Sequence, residues 1–229
     1  MTETMNRGIT PAQAKEFYDR FGAKQDRQGW YEDPAVERMR QEANLGSATN
    51  VFELGHGTGR LAERLLRNEL PAACHYTGTD VSETMHGLAD ARLAPWSDRV
   101  TLIRADAHDP PLAGLPAGYD RIIATYVIDL MEADDIRTTL CEAWRMLVPG
   151  GRLCVVSLTF GRTPFTRLVS WLWERIQSIA PARMGGCRPI SPSRLVSEDE
   201  HAWRIEHASV VCRFGVCSEV VVAVRAGNH

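Results

Sequence analysis

What the chain lacks narrows the field first. No apolar run approaches the ~20 residues that a bilayer-spanning helix needs, and the opening MTETMNRGIT holds no apolar h-region of a secretory signal. Basic residues are not in excess: 26 Lys and Arg stand against 29 Asp and Glu, so a net charge of −3 exerts no general pull on nucleic acid or anionic bilayers. The six cysteines form no C-x-x-C and no zinc-like spacing. Cys141, Cys154 and Cys212 lie inside apolar segments and read as buried small hydrophobes. The expectation is a reduced, cytoplasmic protein with no transmembrane segment and no metal site. Repeats and low-complexity linkers are absent as well, so the 229 residues read as one domain, long enough to bury a substantial core.

What is present is organised around VFELGHGTGR, Val51 to Arg60. The short apolar run Val51–Leu54 has the make-up of a buried parallel strand. It runs into Gly55, Gly57 and Gly59, and RLAERLL then takes helical spacing. Strand, glycine turn and helix are how an open α/β sheet offers backbone N–H groups to a ligand lying across its strand ends. A dinucleotide fingerprint would place the third glycine one residue later, where Arg60 stands. Glu53 at the strand end would repel a pyrophosphate and suits a ligand carrying a cationic amine.

Further strands read as His75–Asp80, Val100–Arg104, Tyr119–Thr125 and Arg152–Leu158, alternating with helices. Asp80 ends the second, placed to accept both ribose hydroxyls of a nucleoside, 25 residues beyond Gly55. Ser82 caps the next helix, and acids from Glu132 to Asp135 open another, which Pro149-Gly150-Gly151 ends. Upstream, Thr10-Pro11 with Gln13 starts a helix that stops at Gly22, and Asp33-Pro34 starts a second. The connector between them carries Trp30 and Tyr31. A helix from Thr163-Pro164 to Pro181 has Phe165, Leu168, Val169, Leu172, Ile176 and Ile179 on one face, flanked by Trp171 and Trp173. Core packing is its common explanation, and a lid over an apolar acceptor or a membrane-touching helix is the other. Met184–Ile190 reads as an irregular loop, Ser191–Glu200 as a short helix, and Trp203–Arg213 with Val216–Arg225 as an antiparallel hairpin.

Glu53-Leu54-Gly55-His56-Gly57-Thr58-Gly59 resembles motif I of the class I S-adenosylmethionine-dependent methyltransferases, E/D-x-G-x-G-x-G. TDVSETM (Thr79–Met85) and RMLVPGGRL (Arg145–Leu153) resemble that family's continuations, and there is generic similarity to ubiquinone and phospholipid methyltransferases. The resemblance implies a Rossmann-like, doubly wound α/β sheet of seven strands in the order 3-2-1-4-5-7-6, helices on both faces. It implies S-adenosylmethionine as cofactor and S-adenosylhomocysteine as its product. The cofactor-binding residues it implies are Glu53, Gly55, His56, Gly57 and Gly59 of the loop; Asp80 on the ribose, with Val81 and Met85 after it; Asp106 and Ala107 at the adenine; and Thr125 at the fourth strand's end. Tyr18 and Tyr31 are the candidates for a flap over the methionine end. His56 departs from the small or Cys residue often found there, altering a side chain and not the amides.

The organisation expected is a helical flap at 1–47, a cofactor core at 48–160, a cap or substrate region at 161–202 and a hairpin at 203–225. The partner expected is a small, partly apolar methyl acceptor and no nucleic acid, with peripheral membrane contact left open. For a hydroxyl acceptor, Asp129 is the first choice to take the proton, ahead of His86, His108 and Tyr126. A nucleic-acid methyltransferase should show an N/D-P-P-Y/F motif where Thr125-Tyr126-Val127-Ile128 stands, and a metal-assisted catechol enzyme an Asp-Asn pair there. A non-catalytic S-adenosylmethionine-binding partner is the alternative of another class, and an NAD(P)-dependent oxidoreductase the lesser one.

Overall fold

The computed structural model describes residues 8–110, 112–179 and 186–227, without the side chains of 172–174 and 176–179. Helices α1 (Pro11–Phe21) and α2 (Gly29–Glu42) precede strand β1 (Asn50–Leu54). Then follow α3 (Arg60–Asn68), β2 (His75–Asp80), α4 (Glu83–Leu93), β3 (Val100–Arg104), β4 (Tyr119–Thr125), α5 (Ala133–Met146) and β5 (Leu147–Thr159). The chain continues through α6 (Pro164–Ile179), α7 (Pro192–Glu198), β6 (Trp203–Arg213) and β7 (Val216–Arg225). The strands form one seven-stranded sheet in the order β3-β2-β1-β4-β5-β7-β6. Strands β1 to β5 run parallel, and β7 lies antiparallel to both β5 and β6. The chain winds outward through β2 and β3, then returns to β4 on the other side of β1. That reversal leaves a crevice beyond the carboxyl ends of β1 and β4, where such sheets bind ligands.

Side-chain alternation explains why both faces are covered. Val51, Ile123, Cys154, Val156, Val220 and Val222 face one way, against Ala35 and Met39 of α2 and Ala62, Leu65 and Leu66 of α3. Their neighbours Phe52, Ile122, Leu153, Val155, Val221 and Ala223 face the other way, against Ile136, Leu140, Ala143 and Met146 of α5 and Val196 of α7. Local caps set the helix starts. Thr10 and Gln13 form the expected capping box on α1, and Ser82 Oγ accepts the Met85 N–H at 3.1 Å on α4.

The structure differs from the sequence reading at several places. Helix α2 begins at Gly29, not Asp33, and Pro34 lies inside it; Gly22–Gln28 is a 3-10 segment, so the connector is helical. Tertiary contacts hold that extra turn: the Tyr31 ring meets Tyr126 at 6.1 Å and Trp30 meets Phe214 at 5.7 Å. Strand β5 starts at Leu147, before Pro149-Gly150-Gly151. Val148 precedes a proline and is pushed from the helical region, so α5 ends at Met146; Gly150, at φ +80°, lies within the strand. Cys212 is exposed and not a buried hydrophobe, and it is disulfide-bonded to Cys217 across the β6–β7 hairpin, which corrects the expectation of a fully reduced chain. Cys154 is buried as expected and Cys141 is half-buried. Phe165, Leu168 and Trp171 of α6 are exposed and not packed into the core. The side chains of Leu172, Trp173, Ile176 and Ile179, the helix end expected at Pro181 and the first part of the Met184–Ile190 loop lie outside the described residues.

Candidate active site

The glycine loop between β1 and α3 needs its glycines for backbone and for space. Gly55, Gly57 and Gly59 have φ of +71°, +52° and +75°, which an L side chain resists. A Cβ on Gly55 would stand 3.0 Å from Val127 Cγ2, and one on Gly59 3.1 Å from Ala89 Cα, where α3 and α4 meet. Four of the loop's backbone amides are bonded within the protein. The Gly55 and His56 N–H groups donate to Thr79 O at 2.8 and 3.0 Å, Gly57 N–H to Asp80 Oδ2 at 2.9 Å, and Gly59 N–H to His56 O at 2.9 Å. The first three of these bonds tie the loop to β2, and the missing side chains leave its backbone open to close approach.

Asp80 is the hub of that tie. Its Oδ2 accepts from Gly57 and its Oδ1 from the Ser82 N–H at 2.9 Å. A carboxylate has about four acceptor sites, so one bond per oxygen leaves capacity for two ribose hydroxyls. Burial pushes its carboxyl up and lowers the neighbouring His56 imidazole. His56 turns its ring inward, Nδ1 meeting Gly57 O at 2.9 Å, and 6.0 Å separates it from the His86 ring. Glu53 is fully buried, accepts the Tyr76 hydroxyl at 2.6 Å, and is pushed up to about 7 by burial.

Two cavities flank the loop. The larger, about 260 Å³, runs from Asp80, Val81, Ala105 and Asp106 past Tyr18 to Leu130 and Met131. The smaller, about 70 Å³, is lined by Glu53, His56, Gly57, Glu32, Asp33 and Arg60. Gly55, Thr125, Tyr126 and Gln25 line both. Tyr126 occupies the carboxyl end of β4 at φ +54°, its hydroxyl 2.8 Å from Ser218 Oγ. A tyrosine in that region is strained, at about 1–3 kcal/mol, and such strain clusters at functional sites.

Of the residues expected from the sequence, Gly59, Met85, Ala107, Tyr31 and Asp129 line neither cavity. Gly59 and Met85 support the wall: Met85 is fully buried beneath the start of α4. Asp106 Oδ1 accepts the His108 N–H at 2.9 Å. Asp129 is fully buried; its Oδ2 accepts the Leu158 N–H at 3.2 Å, and its Oδ1 has no hydrogen-bond partner among the described residues. Burial pushes it up to about 7, against the opposing charge of Arg188.

Glu32 is the residue sequence reasoning missed. It lies in α2 next to Tyr31, and burial pushes it up to about 7. Its only sequence signal was its place in the aromatic connector before Asp33-Pro34. Gln25, Arg60 and Asp33 join it in the smaller cavity, where Arg60 Nη2 meets Asp33 Oδ1 at 2.6 Å.

A parallel-stranded sheet reversing at β1 and β4, with an acid ending β2 and a glycine loop pressed to it, defines the Rossmann-like class I methyltransferase fold. Residues 51–151 match the methyltransferase domain family. Among curated proteins it is 32% identical, over 157 residues and 64% of its length, to the highly reducing polyketide synthase ACRTS2 of Alternaria alternata. The chain spans only 6% of that relative's length. Among solved structures, the N-methyltransferase NodS of Bradyrhizobium japonicum WM9, in complex with S-adenosylhomocysteine, has a TM-score of 0.66 at 19% identity, over 94% of this chain and 100% of that one. The [4+2]-cyclase SpnF has a TM-score of 0.64 at 17% identity, over 86% and 81%.

Proposed function

We propose that this protein binds S-adenosylmethionine across the glycine loop and directs its methyl group to a small, partly apolar acceptor. The observation that carries this reading is the pair of cavities meeting at Gly55, Thr125 and Tyr126, one end bearing Asp80 and Asp106 and the other Glu53, Glu32 and Arg60. The residues fit the cofactor. Asp80 has acceptor capacity for a ribose, Asp106 for an exocyclic amine, and the buried Glu53 carboxylate for an ammonium group. A side chain on Gly55 would intrude where the two cavities join.

The cofactor brings a sulfonium-activated methyl group, so the chain's own task is alignment and exclusion of water. Holding two reactants in line contributes up to about 7–11 kcal/mol. Ile9, Ala14, Leu130 and Met131 give the larger cavity an apolar wall for the acceptor. If the acceptor must lose a proton, Glu32 is the group at the cavity to receive it. Asp129, the sequence choice, acts behind it, its charge helping to raise Glu32.

No helix among the described residues is long and apolar enough to cross a membrane. Peripheral contact belongs to this reading through the exposed Trp30, Phe165, Leu168, Trp171 and Phe214. A cytoplasmic setting belongs to this reading as well, and cytosolic reductants would open the Cys212–Cys217 bond there.

The test is incubation with methyl-labelled S-adenosylmethionine and a panel of phenols, alkyl amines and β-ketoacyl thioesters. Label transferred to an acceptor, with S-adenosylhomocysteine released in equal amount, supports the proposal. Tight cofactor binding with no transfer to any acceptor would favour a non-catalytic binder or, as in the cyclase with this fold, other chemistry.

A further inference from the structure

We infer that Cys141, Glu200 and His201 form a binding site for one zinc-class divalent cation, joining α5 to the turn between α7 and β6. The Cys141 thiol, a Glu200 carboxylate oxygen and a His201 ring nitrogen lie within 4.8 Å of one another. In a tetrahedral zinc site, ligand atoms at 2.0–2.3 Å from the metal stand about 3.5 Å apart. Closing the remaining gap takes about 1 Å of side-chain motion, which the exposed Glu200 can supply.

A second observation points the same way. His201 Nδ1 lies 2.8 Å from Asp199 Oδ1, and that oxygen also accepts the His201 backbone N–H and the Trp203 Nε1–H, each at 3.0 Å. The Asp199 side chain is 7% exposed, so its position is fixed by the surrounding protein. A carboxylate held on Nδ1–H orients the ring and leaves the Nε2 lone pair to a metal, the outer-shell arrangement of histidine ligands. Trp144 packs on the same ring at 5.3 Å between centroids. One thiolate and one carboxylate neutralise a divalent cation, and the sulfur, nitrogen and oxygen set with a fourth position for water suits zinc more than magnesium or calcium.

This site is separate from the cavities. Cys141 stands six residues along α5 from Asp135, the residue of that helix that lines the larger one, or about 9 Å along the axis. Its consequence is structural: a metal there pins the chain where it returns from the 161–190 segment to the sheet. Sequence spacing could not show it, because Cys141 lies far along the chain from the adjacent Glu200 and His201.

The test uses the full-length, tag-free protein, stripped with chelator and titrated with zinc, then with cobalt as a spectroscopic probe. The expected result is one metal per chain, a thiolate-to-cobalt charge-transfer band, and a rise in melting temperature on zinc addition. Cys141→Ser should lose the band, His201→Ala the tight binding, and Asp199→Asn should weaken affinity by about 10–100-fold. A Cys212→Ser/Cys217→Ser variant should bind as the parent does. No binding at micromolar zinc, a cobalt spectrum without the thiolate band, or a band lost only in the Cys212/Cys217 variant would overturn the inference. The parent spectrum decides even if Cys141→Ser fails to fold.

Discussion

Glu53 carries two separable expectations. Its folded pKa of about 7 lies above the ordinary glutamate value because of burial, so the folded chain holds a proton that the unfolded chain has released. Stability from this residue is therefore highest below about pH 4.5, falls as pH rises toward 7, and is level above that. Glu53→Gln keeps an acceptor for Tyr76 and removes the ionisation. Relative to the parent it should gain on the order of 3 kcal/mol between pH 4.5 and pH 8 in urea unfolding. The second expectation concerns the ligand: Glu53→Gln should weaken S-adenosylhomocysteine, which carries an ammonium group, and leave adenosine unchanged. Equal weakening of both would remove the amine role. Glu32 gives a third. If it receives the acceptor proton, Glu32→Gln should lower kcat by about 10²–10⁴-fold with a protic acceptor, with cofactor affinity unchanged by calorimetry; a drop confined to affinity would make it a binding residue.

Among the elements, the loop–helix junction and the hairpin are the places to probe. Gly59→Ala puts a Cβ 3.1 Å from Ala89 Cα at φ +75° and should cost about 1–3 kcal/mol in denaturant unfolding. The Cys212–Cys217 bond closes a short loop, so Cys212→Ser/Cys217→Ser should lose about 2 kcal/mol under non-reducing conditions. Elements could be read from sequence where their signals are local. Thr10 and Gln13, Ser82, and the strand-forming run Tyr119–Thr125 each act within a few residues, and the structure keeps all of them. The start of α2 could not be read, because Trp30 and Tyr31 are held by Phe214 and Tyr126, far along the chain. The start of β5 was obscured because Pro149-Gly150-Gly151 looks like a helix stop and acts instead as an irregularity opposite Tyr119 and Arg121. The disulfide depends on cross-strand register, which pairs Cys212 with Cys217.

For the molecule as a whole, the alternation of strands and helices is legible in the sequence itself, whereas the strand order, which the sheet has, is what the family resemblance implied. The candidate site was readable on the cofactor side, where the loop, Asp80 and Asp106 come from consecutive βα units. It was not readable on the acceptor side, because Ile9, Ala14, Leu130 and Met131 converge on the larger cavity from α1, the residue before its cap and the segment after β4. The central claim is that Asp80 holds the ribose of S-adenosylmethionine in this crevice. Its most direct test is calorimetric titration with S-adenosylhomocysteine of the parent and of Asp80→Ala, with unfolding curves to establish that both are folded. The account predicts micromolar binding by the parent and a loss of at least tenfold in the variant, since a hydrogen bond to a charged group contributes about 1.5–3 kcal/mol. Equal affinity in a folded Asp80→Ala, or no binding by the parent, would contradict it.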